Sequence, residues 1–223
     1  MQHSSFRPLS SLTKTISWSV KLLLLSMFAI SLSETLVVGL YPHFNDAERT
    51  VEATGAELGV AILMFVSGIA SLVGTIVSGV TVLRFMHRAN SNLRGAGVTG
   101  LQFSPRGCVG WWFVPVACLW APFNAMGELY KASTRPNSEG GWSQEPLPDM
   151  FNLWWGTWLL GGILSRLHSY LLGSNGGGVI LGWCAAALLL FSGLQLFKIV
   201  AAIGVAQERN LADLTRPESS LQA

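Results

Sequence analysis

Charged residues are scarce in this chain: they make up 12% of its 223 residues, whereas an ordinary soluble domain carries about 25%. Half of the residues are hydrophobic, and they fall into several long runs. This combination excludes an ordinary soluble globular protein and places the chain in the membrane class. The net charge of +2 is too small to favour nucleic acid, so we expect no nucleic-acid partner.

Cysteine is sparse as well, with three residues and no CxxC spacing. Cys108, Cys118 and Cys184 lie in apolar surroundings, where free cysteines usually serve as small packing residues. The four histidines show no metal-ligand spacing, and HExxH, Walker-loop and GxSxG motifs are absent. We therefore predict no catalytic residues, no metal and no cofactor, and we expect that the chain is not an enzyme.

Four apolar runs are long enough to cross a membrane as helices, which takes about 20 residues. The runs cover residues 16–41, 58–83, 150–172 and 179–205. The first is too long for a secretory signal peptide, whose apolar region has about 7–15 residues. We predict a basic arm over residues 1–15, one polytopic membrane domain over 16–209 and a flexible tail over 210–223.

Small residues recur at helical spacing along the second run, at Ser67, Ser71, Thr75 and Gly79, with Ala70, Gly74 and Ser78 alongside. In lipid, such rows let helix backbones approach closely. We therefore expect this helix at the centre of the helical bundle.

A basic stretch from Arg84 to Arg106 continues the second run. Arg84, Arg88 and Asn92 are four residues apart and share one helical face, and Gly95 and Gly97 are expected to end the helix. Such a face beside a membrane span is typical of contact with anionic lipid headgroups. Another membrane protein or a second copy of the chain is the alternative partner.

The apolar block over residues 108–126 contains Pro115 and Pro122, which interrupt helical hydrogen bonding. We predict a re-entrant or interfacial helix over residues 108–132, in addition to four transmembrane helices; the alternative is five transmembrane helices. Trp111, Trp112 and Trp120 are expected to anchor this block, because tryptophan is enriched at membrane interfaces.

Charge asymmetry predicts the orientation, because short loops rich in Lys and Arg stay on the cytoplasmic side. The arm is basic, the loop 42–57 is acidic and the loop 84–107 is basic. If the central block does not cross, both termini are cytoplasmic and the glycine-rich link 173–178 lies outside. We therefore expect a multi-pass protein of the inner cell membrane.

Three further predictions concern individual side chains. Trp154, Trp155 and Trp158 form an aromatic face that we expect at the membrane interface. Glu128 is expected to bridge to Arg88. Glu34 and Arg166 lie at comparable depth in the membrane in the four-span layout. Since isolated charges at that depth are costly, we hypothesise an ion pair between them. The alternative is that each side chain extends to the membrane interface nearest to it.

The central segment contains an R-A-N-x-N run, an F-S-P turn, a G-W-x-F-x-P core and an E-L-x-x-A-S exit. In these motifs it resembles a bacterial membrane family catalogued as domain of unknown function 4328, and the resemblance covers roughly residues 6–209. The matching residues are Arg88, Ala89, Asn90, Asn92, Phe103, Ser104, Pro105, Gly110, Trp111, Phe113, Pro115, Trp120, Pro122, Glu128, Ala132, Ser133, Trp154, Trp155 and Trp158. The sequence departs from the family pattern at Cys118, Ala121 and Tyr130. The resemblance implies one membrane domain and no particular activity.

These observations favour a membrane scaffold or partner protein, or one that interacts with lipid. The alternative is a transporter or channel subunit that uses the broken helix at 108–130, although a transporter usually has a second, repeated broken helix. An intramembrane enzyme is the third hypothesis.

Overall fold

The computed structural model describes residues 6–40, 54–136, 141–171 and 177–211. Over these ranges it contains helices and no β-strand, which confirms the all-α fold class. The α-helices are α1 Ser10–Leu40, α2 Gly55–Gly95, α3 Pro105–Gly110, α4 Ala121–Thr134, α5 Asp149–Leu171 and α6 Gly177–Asn210. Short 3₁₀ turns cover Trp111–Phe113, Ala117–Leu119 and Gly141–Gln144.

Both ends of α2 are specified by local sequence. Thr54 and Glu57 form a capping box, in which the Glu57 amide donates to Thr54 Oγ1 at 3.3 Å and the Thr54 amide donates to Glu57 Oε2 at 2.8 Å. At the other end, Val98 N–H donates to the Leu93 carbonyl, and Gly97 has a φ of +81°. This is a Schellman motif, which favours glycine at the left-handed position. The predicted end of the helix is therefore confirmed.

Three helices of the described ranges are long and apolar enough to cross a membrane, namely α1, α2 and α6. The fourth predicted span, α5, is not among them. Its tryptophans, Asn152 and Arg166 lower its hydropathy, although it has 23 residues. The count of four spans plus one broken helix stays a prediction.

The described chain divides into two compact units. Unit 1 takes its residues from 1–17, 79–155 and 194–223, and unit 2 from 18–78 and 156–193. Large apolar side chains fill the core of unit 1: Phe85, Met86, Leu93, Met126, Leu129, Phe151, Ile199 and Ile203 are fully buried. This packing is that of an ordinary protein core.

Unit 2 has the opposite distribution. Its buried side chains include Ser26, Ser33, Ser67 and Ser192, while large apolar side chains such as Phe65, which is 70% exposed, face outward. Small residues at helix contacts and apolar residues outside are typical of helices that pack within lipid. Unit 2 therefore has the surface of a membrane-embedded bundle.

The expected central position of α2 is wrong. Only 11% of its most apolar 18-residue window is buried, against 22% for α1 and 33% for α6. In unit 2 it packs through one narrow row, where Leu23 approaches the Cβ position of Gly74 to 2.9 Å. Of the predicted small residues, Ser67 and Gly74 are buried whereas Thr75 and Gly79 are exposed. The wider face of the helix consists of large apolar side chains that are exposed.

Several predicted features lie wholly or partly outside the described residues. They are the start of the arm at 1–5, the loop 42–57 up to residue 53, residues 172–176 at the glycine-rich link, and the tail beyond residue 211. The single polytopic domain over 16–209 stays a prediction.

Candidate anion-binding site

A pocket of about 520 Å³ lies within unit 1, beside the last turns of α2. The positively charged side chains that line it are Arg7, Arg84 and Arg88, and His87 lies with them. Val80 and Leu83 form its apolar side. None of the described residues that line the pocket carries a carboxylate.

Asn92 fixes the arm that carries Arg7. Its Oδ1 accepts the Arg7 backbone N–H at 3.2 Å, and its Nδ2 donates to the Arg7 carbonyl at 2.9 Å. Arg88 adds a bond from its guanidinium to the Pro8 carbonyl at 3.1 Å. The arm is thereby attached to α2 at two successive residues, which brings Arg7 to the pocket.

Gln207 of α6 supports this clamp from the buried side. Its Oε1 accepts from Asn92 Nδ2 at 3.0 Å, while its Nε2 donates to the Ala89 carbonyl and to Ser133 Oγ, each at 3.0 Å. Gln207 is fully buried, and buried amides of this kind are stable only when their hydrogen bonds are satisfied. The network therefore joins the arm, α2, α4 and α6 inside unit 1.

The structure brings Arg84, Arg88 and Asn92 together, as their spacing predicts. Arg84 is exposed, Arg88 is half-buried and Asn92 is buried. Asn92 thus stabilises the arm through hydrogen bonds, whereas the two arginines face the pocket. Sequence reasoning missed Arg7 and Gln207, because a helical face can be read from local spacing whereas contacts across more than eighty residues cannot.

The predicted bridge between Glu128 and Arg88 is wrong. Glu128 accepts the backbone N–H groups of Gln102 and Phe103 at 2.7 and 3.2 Å. Its carboxylate thereby holds the segment between α2 and α3, and Arg94 is the guanidinium that lies near it. Arg94 also donates to the Phe103 carbonyl at 2.8 Å, so this segment is held from both sides.

Burial raises the pKa of Glu128, and its two backbone hydrogen bonds and Arg94 offset only part of this effect. Burial also raises the pKa of the neighbouring Cys108 thiol to about 12, with a further contribution from the Glu128 charge. Cys108 is 1% exposed. Its role is packing, as its apolar surroundings predict.

The block between α3 and α4 is broken where its prolines predict. Pro115 lies between the two 3₁₀ turns, the next residue Val116 has a φ of +68°, and Pro122 stands in the first turn of α4. A β-branched residue with positive φ is uncommon and marks a locally strained backbone. Trp155 Nε1 donates to the Leu119 carbonyl at 2.7 Å, which holds the break against α5.

The tryptophans separate into an exposed set and a buried set. Trp111 and Trp120 are 41% and 51% exposed, which fits interfacial anchors. Trp154 and Trp155 are 2% and 8% exposed, so they do not belong to an exposed aromatic face, and their position relative to the membrane interface stays a prediction.

These two side chains pack inside unit 1, where Trp112 contacts Trp155 edge to face with ring centroids 6.1 Å apart. In unit 2, Trp158 remains 39% exposed. An aromatic run in the sequence does not distinguish these environments, since tryptophan suits both a core and an interface.

The predicted partner of Glu34 is also wrong. In unit 2, His168 Nε2 lies 3.3 Å from both carboxylate oxygens of Glu34, while Arg166 is exposed. Residues two apart on a helix point about 200° apart, so a helix that turns His168 toward α1 turns Arg166 away. The rotation of α5 thus places His168, and not Arg166, beside Glu34.

Comparison with known proteins gives one family. A sequence profile described as "Domain of unknown function (DUF4328)" matches residues 47–207, which is more than half of the chain and includes α2, the broken block and most of α6. No curated protein and no solved structure matches significantly.

Proposed function

This chain belongs to the family described as Domain of unknown function (DUF4328), and we propose that it is a multi-pass membrane protein that binds anionic lipid headgroups. The binding site is the pocket beside the last turns of α2. The observation that carries the proposal is the convergence of Arg7, Arg84 and Arg88 on this pocket.

The position of the pocket along α2 supports a lipid rather than a soluble anion. Val80 and Leu83 belong to the apolar run that fits a membrane span, and Arg84 is the first charge after it. A phospholipid has a matching order of apolar and charged parts. Its acyl chains fit beside the apolar side of the pocket, and its phosphate fits beside the arginines. Each arginine near an anionic surface contributes about 1 kcal/mol.

An exposed apolar segment supports contact with the membrane interface. Phe113 is 72% exposed, Val116 is 66% exposed and Leu119 is 51% exposed, with Trp111 and Trp120 at the two ends. An exposed cluster of this kind, with tryptophans at its edges, is typical of an element that enters the interfacial region of a bilayer. We propose that this block is the interfacial or re-entrant element.

The proposed layout has four spans, formed by α1, α2, α5 and α6, in the inner cell membrane. Both termini are cytoplasmic, since this layout puts the basic arm and the basic end of α2 on one side. A headgroup in the pocket is then a lipid of the cytoplasmic leaflet. The proposal assigns no catalysis and no cofactor to the chain.

Lipid retention measured by native mass spectrometry tests the proposal. The full chain is purified in detergent and titrated with phosphatidylglycerol or phosphatidylcholine. The double variant Arg84→Gln with Arg88→Gln is compared with Arg106→Gln with Arg209→Gln, which removes the same charge from exposed positions that do not line the pocket.

We expect the pocket variant to bind phosphatidylglycerol roughly 30-fold more weakly, because two arginines together contribute about 2 kcal/mol. The control variant should retain most of the affinity. Equal losses in the two variants would mean that net charge, and not the pocket, attracts the lipid.

A further inference from the structure

Glu34 and His168 form a second polar site, in unit 2 and apart from the basic pocket. His168 Nε2 is 3.3 Å from each oxygen of Glu34, and each side chain is only 12% exposed. The other ring nitrogen, Nδ1, lies 2.7 Å from the carbonyl oxygen of Gly178. The pair therefore connects α1, α5 and α6.

The identity of these atoms determines how many protons the site holds. A carbonyl oxygen only accepts hydrogen bonds, so Nδ1 carries a hydrogen and donates it to Gly178. Nε2 faces a carboxyl group, which in its ionised form also only accepts. A hydrogen bond between the two side chains thus needs a second proton, which resides on either Nε2 or the carboxyl group.

We propose that Glu34 and His168 bind this one proton between them and that unit 2 thereby contains a proton-binding site. With the proton bound, the pair is neutral overall, either as imidazolium with carboxylate or as imidazole with carboxylic acid. Release of the proton to water leaves a carboxylate opposite the lone pair of a neutral imidazole. The pair then has a charge of −1 and no hydrogen bond between its members.

The surroundings of the pair keep its geometry fixed. A Cβ atom at Gly182 would lie 3.0 Å from the His168 ring, so the ring rests directly on the backbone of α6. Beside it, Trp183 Nε1 donates to Thr35 Oγ1 at 3.0 Å, and the Trp183 ring packs edge to face on Phe28. The ring consequently cannot turn away without disturbing the contact between α5 and α6.

Other titratable groups on the described helices of unit 2 do not supply a competing charge to the pair. Arg166, Tyr170 and Cys184 are exposed, and Glu57 caps the start of α2. Lys21 lies 13 residues before Glu34 on α1, a separation of about 20 Å along a helix. Among the described residues of unit 2, the charge state of the site therefore depends on the pair itself.

A double-mutant cycle over pH tests the proposal. The melting temperature of the full chain in detergent is measured for wild type, Glu34→Gln, His168→Gln and the double variant at about pH 5.5 and about pH 9, which lie on either side of ordinary histidine titration. The exposed pair Arg135 and Glu145, whose arginine stays charged throughout, provides a control cycle.

We expect a non-additive effect at the lower pH, where the double variant melts close to the single variants, and loss of most of this coupling at the higher pH. The control cycle should give the same coupling at both pH values. A pH-independent coupling of Glu34 and His168, or simple additivity at the lower pH, would overturn the proposal.

If a variant fails to fold, nitrogen NMR of the histidine-labelled wild type decides instead. The proposal requires a protonated Nδ1 on His168 at both pH values and an Nε2 signal that changes between them. An unprotonated Nδ1, or an Nε2 signal that does not change between the two pH values, would refute the proposal.

Discussion

Asn92 binds both backbone polar groups of Arg7, accepting from its N–H at 3.2 Å and donating to its carbonyl at 2.9 Å. One side-chain amide thus satisfies a donor and an acceptor of the arm in the way that a neighbouring strand would. The basic pocket depends on this contact, because Arg7 reaches the pocket from a segment that α2 holds in place.

Replacement of Asn92 by Ala should therefore cost stability and lipid affinity together. The change leaves the Gln207 Oε1 and the Arg7 amide without their partner, and a buried unsatisfied polar group costs about 1–3 kcal/mol. Thermal unfolding and phosphatidylglycerol retention are measured side by side. Ser169→Ala is the control, since its hydroxyl donates to the Ser165 carbonyl within the same helix and it does not line the pocket. A lipid affinity for Asn92→Ala equal to that of the control would show that the arm does not contribute.

Deprotonation of Glu128 should lower the free energy of unfolding as the pH rises. Its pKa is raised in the folded state, so the folded chain holds this proton more tightly than the unfolded chain does. The resulting contribution to the free energy of unfolding is fully present below pH 4.5, the ordinary pKa of the carboxyl group. It is lost as the pH rises through the raised pKa of the folded state. Glu128→Gln removes this part of the pH dependence of the melting temperature, whereas Glu208→Gln, at an exposed position, does not. An unchanged slope in Glu128→Gln would contradict the assignment.

Cys108 should be unreactive in the folded protein. Its thiol is 1% exposed and has a pKa of about 12, and the thiolate is the reactive form. In a variant that keeps Cys108 but carries Cys118→Ala and Cys184→Ala, we expect no maleimide labelling at pH 8 until denaturant is added. Rapid labelling without denaturant would place this thiol outside the core of unit 1.

Two adjacent glycines of α5, close to the contact with α6 in unit 2, should tolerate replacement by alanine differently. A Cβ at Gly161 would lie 2.8 Å from Leu189 Cγ, whereas a Cβ at Gly162 meets nothing within 4 Å. Gly161→Ala should lower stability by about 1–3 kcal/mol through overpacking. Gly162→Ala should be neutral or stabilise by up to about 1 kcal/mol, since alanine favours helix. Equal melting temperatures would mean that the two helices are not in close contact.

Local features of this fold could be predicted from the sequence. The helical class follows from the long apolar runs, the end of α2 from Gly97, and the common face of Arg84 and Arg88 from their spacing. Each of these depends on residues within one or two helical turns, where geometry is fixed by the backbone.

Features that depend on the rotation or contacts of distant helices could not be predicted. The choice of His168 over Arg166 as the partner of Glu34 is a question of how α5 is turned. The burial of Trp154 and Trp155 reflects the packing of α4 and α5. Arg7 reaches the basic pocket through a contact between residues 85 positions apart, for which no local pattern exists.

Site-directed photo-crosslinking in membranes tests the central claim most directly. A benzoylphenylalanine replaces Leu83 on the apolar side of the basic pocket, and adducts are identified by mass spectrometry after irradiation. We predict an adduct with an anionic phospholipid that disappears when Arg84→Gln and Arg88→Gln are added. Adducts with zwitterionic phospholipid, or adducts that persist unchanged without the two arginines, would contradict the assignment of the pocket to an anionic headgroup.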